Sequence, residues 1–97
     1  MAQRPLFPLF PLGRLMATPG ALDALDRWPL DLFLRHQRGD WGDLDEEDRQ
    51  ANWRALREGA RIFSAYNTQG KDGKTVRVWV ITEADRSATT VLLPEEY

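Results

Sequence analysis

The stretch TVRVWVIT (Thr75–Thr82) decides the fold class, because it is the strongest β-strand signal in the chain. Side chains alternate between the two faces of a strand, so the three valines share one face and Trp79 and Ile81 share the other. Apolar residues on both faces predict a central strand that is covered by helices on one side.

Two further strands flank this one. RIFSAYNT (Arg61–Thr68) is rich in aromatic and β-branched residues, and the polar turn QGKDGK joins it to the central strand as a hairpin. After the turn Glu83–Ser87, a last strand runs from Ala88 to Leu93, and Pro94 ends it. These elements predict a three-stranded antiparallel meander whose last strand is a possible sheet edge.

The residues before the hairpin are mostly helical. A short strand, Gly13–Ala17, precedes a helix over Pro19–Asp26, with Thr18 as a favourable N-cap. The preceding Met1–Leu12 contains three prolines, which favour extended backbone. We therefore predict a Pro-rich N-terminal extension (1–12) followed by a single α+β domain (13–97).

A second helix is predicted between Pro29 and Gly39, because proline suits the first turn of a helix and glycine suits the position after its end. Leu30, Phe33 and Leu34 recur at helical spacing, which predicts that these three residues form the face that packs on the core.

The third helix has the clearest start signal. Asp43 lies three residues before Glu46, which is the spacing of a capping box with Asp in place of Ser or Thr. Acidic residues fill the first turn, and arginines fill the last turns before Gly59. The predicted order is an N-terminal strand, three helices and the meander packed against them, which is an α+β fold.

Composition narrows the functional classes. The chain has 97 residues, which suits one domain, and its 13 basic and 15 acidic residues argue against a dedicated nucleic-acid binder. It has no cysteine, which excludes thiol nucleophiles and thiolate zinc sites and fits a cytoplasmic protein. The prolines interrupt any N-terminal signal or membrane span. We expect no cofactor, no metal and no membrane contact.

The run from Asp40 to Asp48 is the best candidate for a recognition surface. Helix capping accounts for most of its acidic residues, and the pattern of a Ca²⁺-binding loop is absent. Trp41 lies within the run, where it is either a core residue or an anchor for a partner. The predicted partner-binding residues are Trp41, Asp40, Asp43, Asp45, Glu46 and Glu47.

The turn between the last two strands is a second polar cluster. Glu83, Asp85 and Arg86 either form a structural turn or line the end of the sheet, where loops often carry binding residues. In the second interpretation Asp85 and Arg86 extend the partner-binding surface. His36 is the only histidine, and its position near a helix end favours a structural role over catalysis.

Three segments carry a resemblance to a known family: GRLMATPGALDAL (Gly13–Leu25), GDWGDLDEEDRQAN (Gly39–Asn52) and WVITEADRSATTVLLPEEY (Trp79–Tyr97). They resemble a family of short, largely uncharacterised bacterial proteins carried on plasmids and integrative elements, with ITEADRSATTVLLPEEY as the C-terminal signature. The resemblance implies an accessory protein of a mobile genetic element, and it brings no catalytic residues.

A weaker similarity concerns topology alone. One strand, a helical segment and a C-terminal meander are similar to the small RelE-like toxins, which are ribonucleases that cleave messenger RNA on the ribosome. This similarity implies an enzyme whose site depends on Arg77, Glu83, Arg86 and Tyr97. As a ribonuclease, the chain would use Glu83, Arg86 and His36 as its catalytic residues. Such toxins are usually strongly basic because they bind RNA, whereas this chain carries a net charge of −2.

Two functions therefore follow from the sequence. The first is a non-enzymatic accessory protein that binds another protein through its acidic surface, for example to inhibit a host defence or regulatory complex. The alternative is a RelE-like ribonuclease toxin. A homo-oligomer is a third hypothesis, which depends on the possible sheet edge and the apolar N-terminal extension.

Overall fold

The computed structural model describes residues 8–97, which form three α-helices, four β-strands and one turn of 3-10 helix. The elements are β1 (Arg14–Ala17), α1 (Pro19–Leu25), α2 (Leu30–Gln37), α3 (Glu46–Glu58), β2 (Ile62–Gln69), β3 (Thr75–Thr82), β4 (Ala88–Leu92) and the 3-10 helix (Pro94–Glu96). The predicted N-terminal extension is thus described only from Pro8 onward, and the rest of it lies outside the described residues.

The strands form one sheet in the order β1-β4-β3-β2. β3 pairs antiparallel with both β2 and β4, so that Ile81 lies between Phe63 and Thr90. β1 pairs parallel with β4, with Met16 opposite Thr90. The α+β class is confirmed. β2, β3 and β4 pair antiparallel in succession, but the prediction of a sheet made of these three strands alone is wrong, because β1 adds a fourth, parallel strand and makes the sheet mixed. β4 lies inside the sheet, so the prediction that the last strand is an edge is also wrong.

Two apolar clusters form the core. One lies where α1 and α2 pack on the sheet and contains Ala21, Leu25, Leu32, Phe33, Tyr66, Val78, Val80 and Val91. The other contains Phe10, Trp41, Leu44, Ala55, Ile62 and Ala65. The segment around Phe10 is fixed to α2 by two hydrogen bonds: Leu9 N–H donates to the Gln37 carbonyl and the Gln37 side chain donates to the Phe10 carbonyl, each at 2.9 Å.

The buried face of α2 differs from the predicted one. The helix buries Leu32, Phe33 and His36. Leu30 and Leu34 are 49% and 37% exposed, so the prediction that they face the core is wrong. The cause is His36, whose ring nitrogens find hydrogen-bond partners on the sheet and therefore hold this polar residue on the inner face.

Helix α3 begins at a different cap from the one predicted. Asp45 is the N-cap, and its carboxylate accepts a hydrogen bond from the Asp48 N–H at 2.8 Å. The predicted capping box between Asp43 and Glu46 is wrong, because Asp43 pairs with Arg77 on β3 instead. Gly59 ends the helix in the left-handed conformation, with φ of 71°.

Candidate functional site

The first turn of α3 presents four consecutive carboxylates: Asp45, Glu46, Glu47 and Asp48. We call this set the acidic turn. All four residues are exposed, and none of them forms a salt bridge within residues 8–97. Glu46 accepts a hydrogen bond from Gln50 at 2.8 Å, which leaves its charge uncompensated. The acidic turn is therefore a concentrated negative surface at the start of the longest helix.

The other two acids of the run are paired. Asp40 binds Arg35 at 2.7 Å, and Asp43 binds Arg77 at 2.7 Å. The hydrogen bond from Arg77 lowers the pKa of Asp43 below its ordinary value, and a smaller contribution comes from Asn67 at 3.2 Å. The predicted acidic surface thus has two parts: Asp40 and Asp43 form salt bridges, and the acidic turn forms none within residues 8–97.

A shallow cavity of about 370 Å³ lies beside the paired aspartates. It is lined by Arg35, Asp40, Gly42, Asp43, Tyr66 and Asn67. The Arg35 guanidinium lies 4.5 Å from the centre of the Tyr66 ring, and the Tyr66 hydroxyl donates to the Asp40 carbonyl at 2.6 Å. These contacts fix the cavity walls and place it between α2 and the loop that leads into the acidic turn.

Trp41 is a core residue and not a partner-binding anchor. It is only 3% exposed, and its ring stacks on Phe10 at 6.5 Å and meets Trp53 edge-on at 5.4 Å. The loop turns Trp41 inward because its backbone pairs with Ala65. The Ala65 N–H donates to the Trp41 carbonyl at 3.1 Å, and the Asp43 N–H donates to the Ala65 carbonyl at 2.7 Å. The prediction that Trp41 contacts a partner is therefore wrong.

Arg86 is also occupied within the fold. Its guanidinium donates to the carbonyls of Ala55 and Ala60 at 3.1 and 2.6 Å, where α3 ends, and to those of Glu83 and Ala84 at 3.2 Å. The Ala55 carbonyl also accepts the N–H groups of Gly59 and Ala60, so Arg86 adds a further donor where the helix ends. The fold thus already uses the donors of Arg86, and the role of this residue in partner binding stays a prediction.

Asp85 and Glu83 remain near the surface of the same turn. The Asp85 carboxylate accepts from the Ser87 N–H at 2.9 Å. The hydrogen bond from the Ser87 side chain, with a smaller contribution from this N–H, lowers the pKa of Asp85. Glu83 pairs with Arg61 at 3.1 Å. Asp85 is exposed and closes the turn, so it is compatible with a contact but is not part of the acidic turn.

His36 is completely buried and has a hydrogen bond at each ring nitrogen. Nδ1 lies 2.6 Å from the Ser64 hydroxyl, and Nε2 lies 2.9 Å from the Thr82 hydroxyl. Thr82 continues this chain to Thr89 at 2.6 Å. Burial, with a smaller effect from Arg86, lowers the pKa of His36 to about 3. A neutral and buried imidazole offers no ring nitrogen to a substrate, so His36 does not fit the role of a general base. The other two members of the alternative catalytic set, Glu83 and Arg86, stay a prediction.

Three exposed apolar residues on and before α2 were missed by the sequence interpretation. Trp28, Leu30 and Leu34 are 48%, 49% and 37% exposed, and the Trp28 ring rests on Phe33 at 5.5 Å. The sequence does contain a signal for their exposure. Leu32, Phe33 and His36 lie on one face at helical spacing, and if His36 is treated as a buried residue, this face is the one that packs on the core.

No family model matches the chain, and neither a curated protein nor a solved structure is significantly similar to it. The part of the chain from residue 8 onward contains no group of three or more metal-binding side chains placed to hold an ion. Among the helices of that part, none is long and apolar enough to cross a membrane. The case for a function therefore depends on the acidic turn and its surroundings.

Proposed function

We propose that this chain is a small accessory protein of a mobile genetic element that acts by binding another protein through its acidic turn. The observation that carries the proposal is the set of four exposed carboxylates without a salt bridge in the described residues. A negative surface of this kind accelerates association with a positively charged partner. The partner would present clustered Lys and Arg side chains.

Helix capping explains only part of the acidic turn. Asp45 alone supplies the side-chain cap, by accepting from the Asp48 N–H. Carboxylates near a helix N-terminus each contribute about 0.3–1 kcal/mol through the helix dipole, but neighbouring like charges repel each other. Glu46 and Glu47 add repulsion without capping a backbone N–H, which favours a role in recognition.

The acidic turn stands on a rigid support. The Asn52 side chain donates to the Phe63 carbonyl at 2.6 Å and accepts from the Phe63 N–H at 3.0 Å, which fixes the middle of α3 to β2. Arg86 fixes the other end of the helix. A preorganised surface loses little entropy on binding, so these bonds support the proposed role.

The mobile-element part of the proposal comes from the resemblance of the three sequence segments. A protein of this kind has no need of a catalytic centre if it blocks a surface of a larger complex. Inhibition of a host defence or regulatory complex is the form of the function that fits a small acidic binding protein best.

The test is affinity capture of the tagged protein in its native host, with nuclease treatment and mass spectrometry of the bound material. The double variant Glu46→Lys, Glu47→Lys reverses two charges but keeps the Asp45 cap. The matched control, Glu58→Lys with Glu95→Lys, makes the same charge change at exposed positions outside the acidic turn.

We expect one stoichiometric protein partner for the wild type and the control, and its loss from the Glu46/Glu47 variant. A partner retained equally by both variants would show that the acidic turn is not the binding site. Ribosomes or RNA that disappear on nuclease treatment would instead support the ribonuclease alternative.

A further inference from the structure

The two edges of the sheet differ in how their backbone groups are satisfied. At the β2 edge, the Ala65 N–H donates to the Trp41 carbonyl at 3.1 Å, and the Asp43 N–H donates to the Ala65 carbonyl at 2.7 Å. The side-chain amide of Asn52 bonds both backbone groups of Phe63. Phe63 and Ala65 are the first two residues of β2 whose backbone groups point away from β3. Because these groups are already hydrogen-bonded, another strand cannot pair with this part of the edge.

Within residues 8–97, no strand pairs with the outer edge of β1. The N–H groups of Arg14 and Thr18 donate to carbonyls on the β4 side, Ser87 and Val91, each at 3.0 Å. In a parallel pair, alternate residues turn both backbone groups toward the same neighbour, so Leu15 and Ala17 turn theirs outward. Within the described residues these outward N–H and C=O groups have no hydrogen-bond partner.

We infer that β1 pairs with β1 of a second copy of this chain, antiparallel and about a two-fold axis perpendicular to the sheet. Residues that oppose each other in a sheet share a face, and the outward backbone groups belong to Leu15 and Ala17. The register in which both of these residues of each copy are paired places Leu15 opposite Ala17 of the second copy, and Met16 opposite Met16. The product is a continuous sheet of eight strands, twice the four of one copy.

The side chains of β1 agree with this register. Leu15 and Ala17 pack on the core under α1 and α2, so Met16 lies on the opposite face of the sheet, where it is 44% exposed. Met16 would be covered by Met16 of the second copy. A non-hydrogen-bonded pair of this kind brings opposing side chains closest together.

The charges at the two ends of β1 are complementary in the same register. Arg14 is exposed and has no salt bridge in the part of the chain that is described. It would lie opposite Thr18 of the second copy, whose hydroxyl bonds the carboxylate of Glu96. That bond, with one from the Leu93 N–H, lowers the pKa of Glu96. The charged carboxylate would therefore form a salt bridge with Arg14 of the second copy. Because the dimer has a two-fold axis, the contact between Arg14 of one copy and Glu96 of the other occurs twice.

Charge substitution at position 16 tests the inference with the purified chain alone, and so independently of the proposed partner. The molar mass of wild type, Met16→Glu, Met16→Lys and an equal mixture of the two variants is measured by light scattering over a range of concentrations. Leu30→Glu is the control, because Leu30 is similarly exposed but lies on α2. Circular dichroism confirms that each variant is folded.

We expect dimers for the wild type and Leu30→Glu, monomers for each position-16 variant alone, and a restored dimer in the mixture. Like charges directly opposite each other are destabilising and opposite charges are not, so restoration requires that residue 16 meets itself. A wild type that stays monomeric at every concentration, or a mixture that stays monomeric while the wild type dimerises, would overturn the inference.

Cross-linking gives a second measurement. The chain has no cysteine, so Met16→Cys introduces a single thiol. Opposed residues of a non-hydrogen-bonded pair have Cα atoms about 4.5 Å apart, within the range that a disulfide spans. We expect rapid oxidation of Met16→Cys to a covalent dimer and slow oxidation of Leu30→Cys. Equal rates for the two variants would contradict the proposed register.

Discussion

Burial of His36 makes the stability of this protein depend on pH in a direction that can be tested. The ring is fully buried between the hydroxyls of Ser64 and Thr82, and it makes edge contacts with Phe10 and Trp41. Burial disfavours the charged imidazolium, and the positive charge of Arg86 disfavours it further. The folded protein therefore keeps His36 neutral under conditions in which the unfolded chain protonates it.

The sign and size of the effect follow from linkage. The pKa of His36 is 6.5 in the absence of the fold and about 3 within it. Well above pH 6.5 both states are neutral at this residue, so His36 makes no contribution to the pH dependence of stability. Below it the unfolded state binds the extra proton, so the free energy of unfolding falls by about 1.4 kcal/mol per pH unit. At about pH 5 the loss is roughly 2 kcal/mol.

The assay is urea unfolding, followed by the fluorescence of the four tryptophans, between about pH 7.5 and about pH 5. His36→Gln is the reference, because an amide donates and accepts hydrogen bonds but does not titrate in this range. We expect the wild type to lose about 2 kcal/mol more than the variant over this interval. In addition, NMR of the wild-type imidazole should show no titration down to about pH 5. A titration midpoint between about pH 6 and 7, or equal pH profiles for the two proteins, would refute the assignment of His36 as a buried structural residue.

Two further sets of substitutions test the geometry around the candidate site, each by urea unfolding. Gly42→Ala places a Cβ 2.0 Å from the Ala65 carbonyl oxygen, whereas Gly59→Ala meets nothing within 4 Å; both have positive φ. We expect losses of about 3 kcal/mol and about 1 kcal/mol, and equal losses would contradict the tight fit of the loop at Gly42. Arg86→Ala should cost about 2–3 kcal/mol through lost hydrogen bonds. Arg86→Gly should cost about 1 kcal/mol less, because φ at this position is 63°; an Arg86→Gly protein less stable than Arg86→Ala would contradict this explanation.

Local signals allowed much of the fold to be predicted from the sequence. The central strand Thr75–Thr82 has the predicted bounds, and Gly59 ends the third helix as expected. The pairing of β1 with β4 could not be predicted, because Met16 and Thr90 are far apart in the chain and four residues of strand carry no signal of their partner.

The candidate site was predicted only in part, and the errors have a common cause. The charges of the acidic turn are visible in the sequence, but the long-range partners of other polar residues are not. The sequence pattern assigns Asp43 and Arg86 to a partner-binding surface, whereas in the fold Asp43 binds Arg77 and Arg86 binds the end of α3. The pattern also leaves His36 off the core face of α2 and offers Trp41 as an anchor for a partner, yet both residues are buried. Periodicity detects apolar stripes and cannot detect a polar residue whose partners come from another element.

The rate at which the captured partner associates, measured at low and at high salt, tests the central claim most directly. Steering by the acidic turn predicts that Glu46→Lys with Glu47→Lys slows association by about tenfold or more at about 20 mM salt. The difference should shrink toward zero at about 500 mM salt, where charges are screened within a few ångströms. The control variant, Glu58→Lys with Glu95→Lys, should retain most of the wild-type rate. Association rates that are equal for the acidic-turn variant and the wild type at low salt would contradict the account.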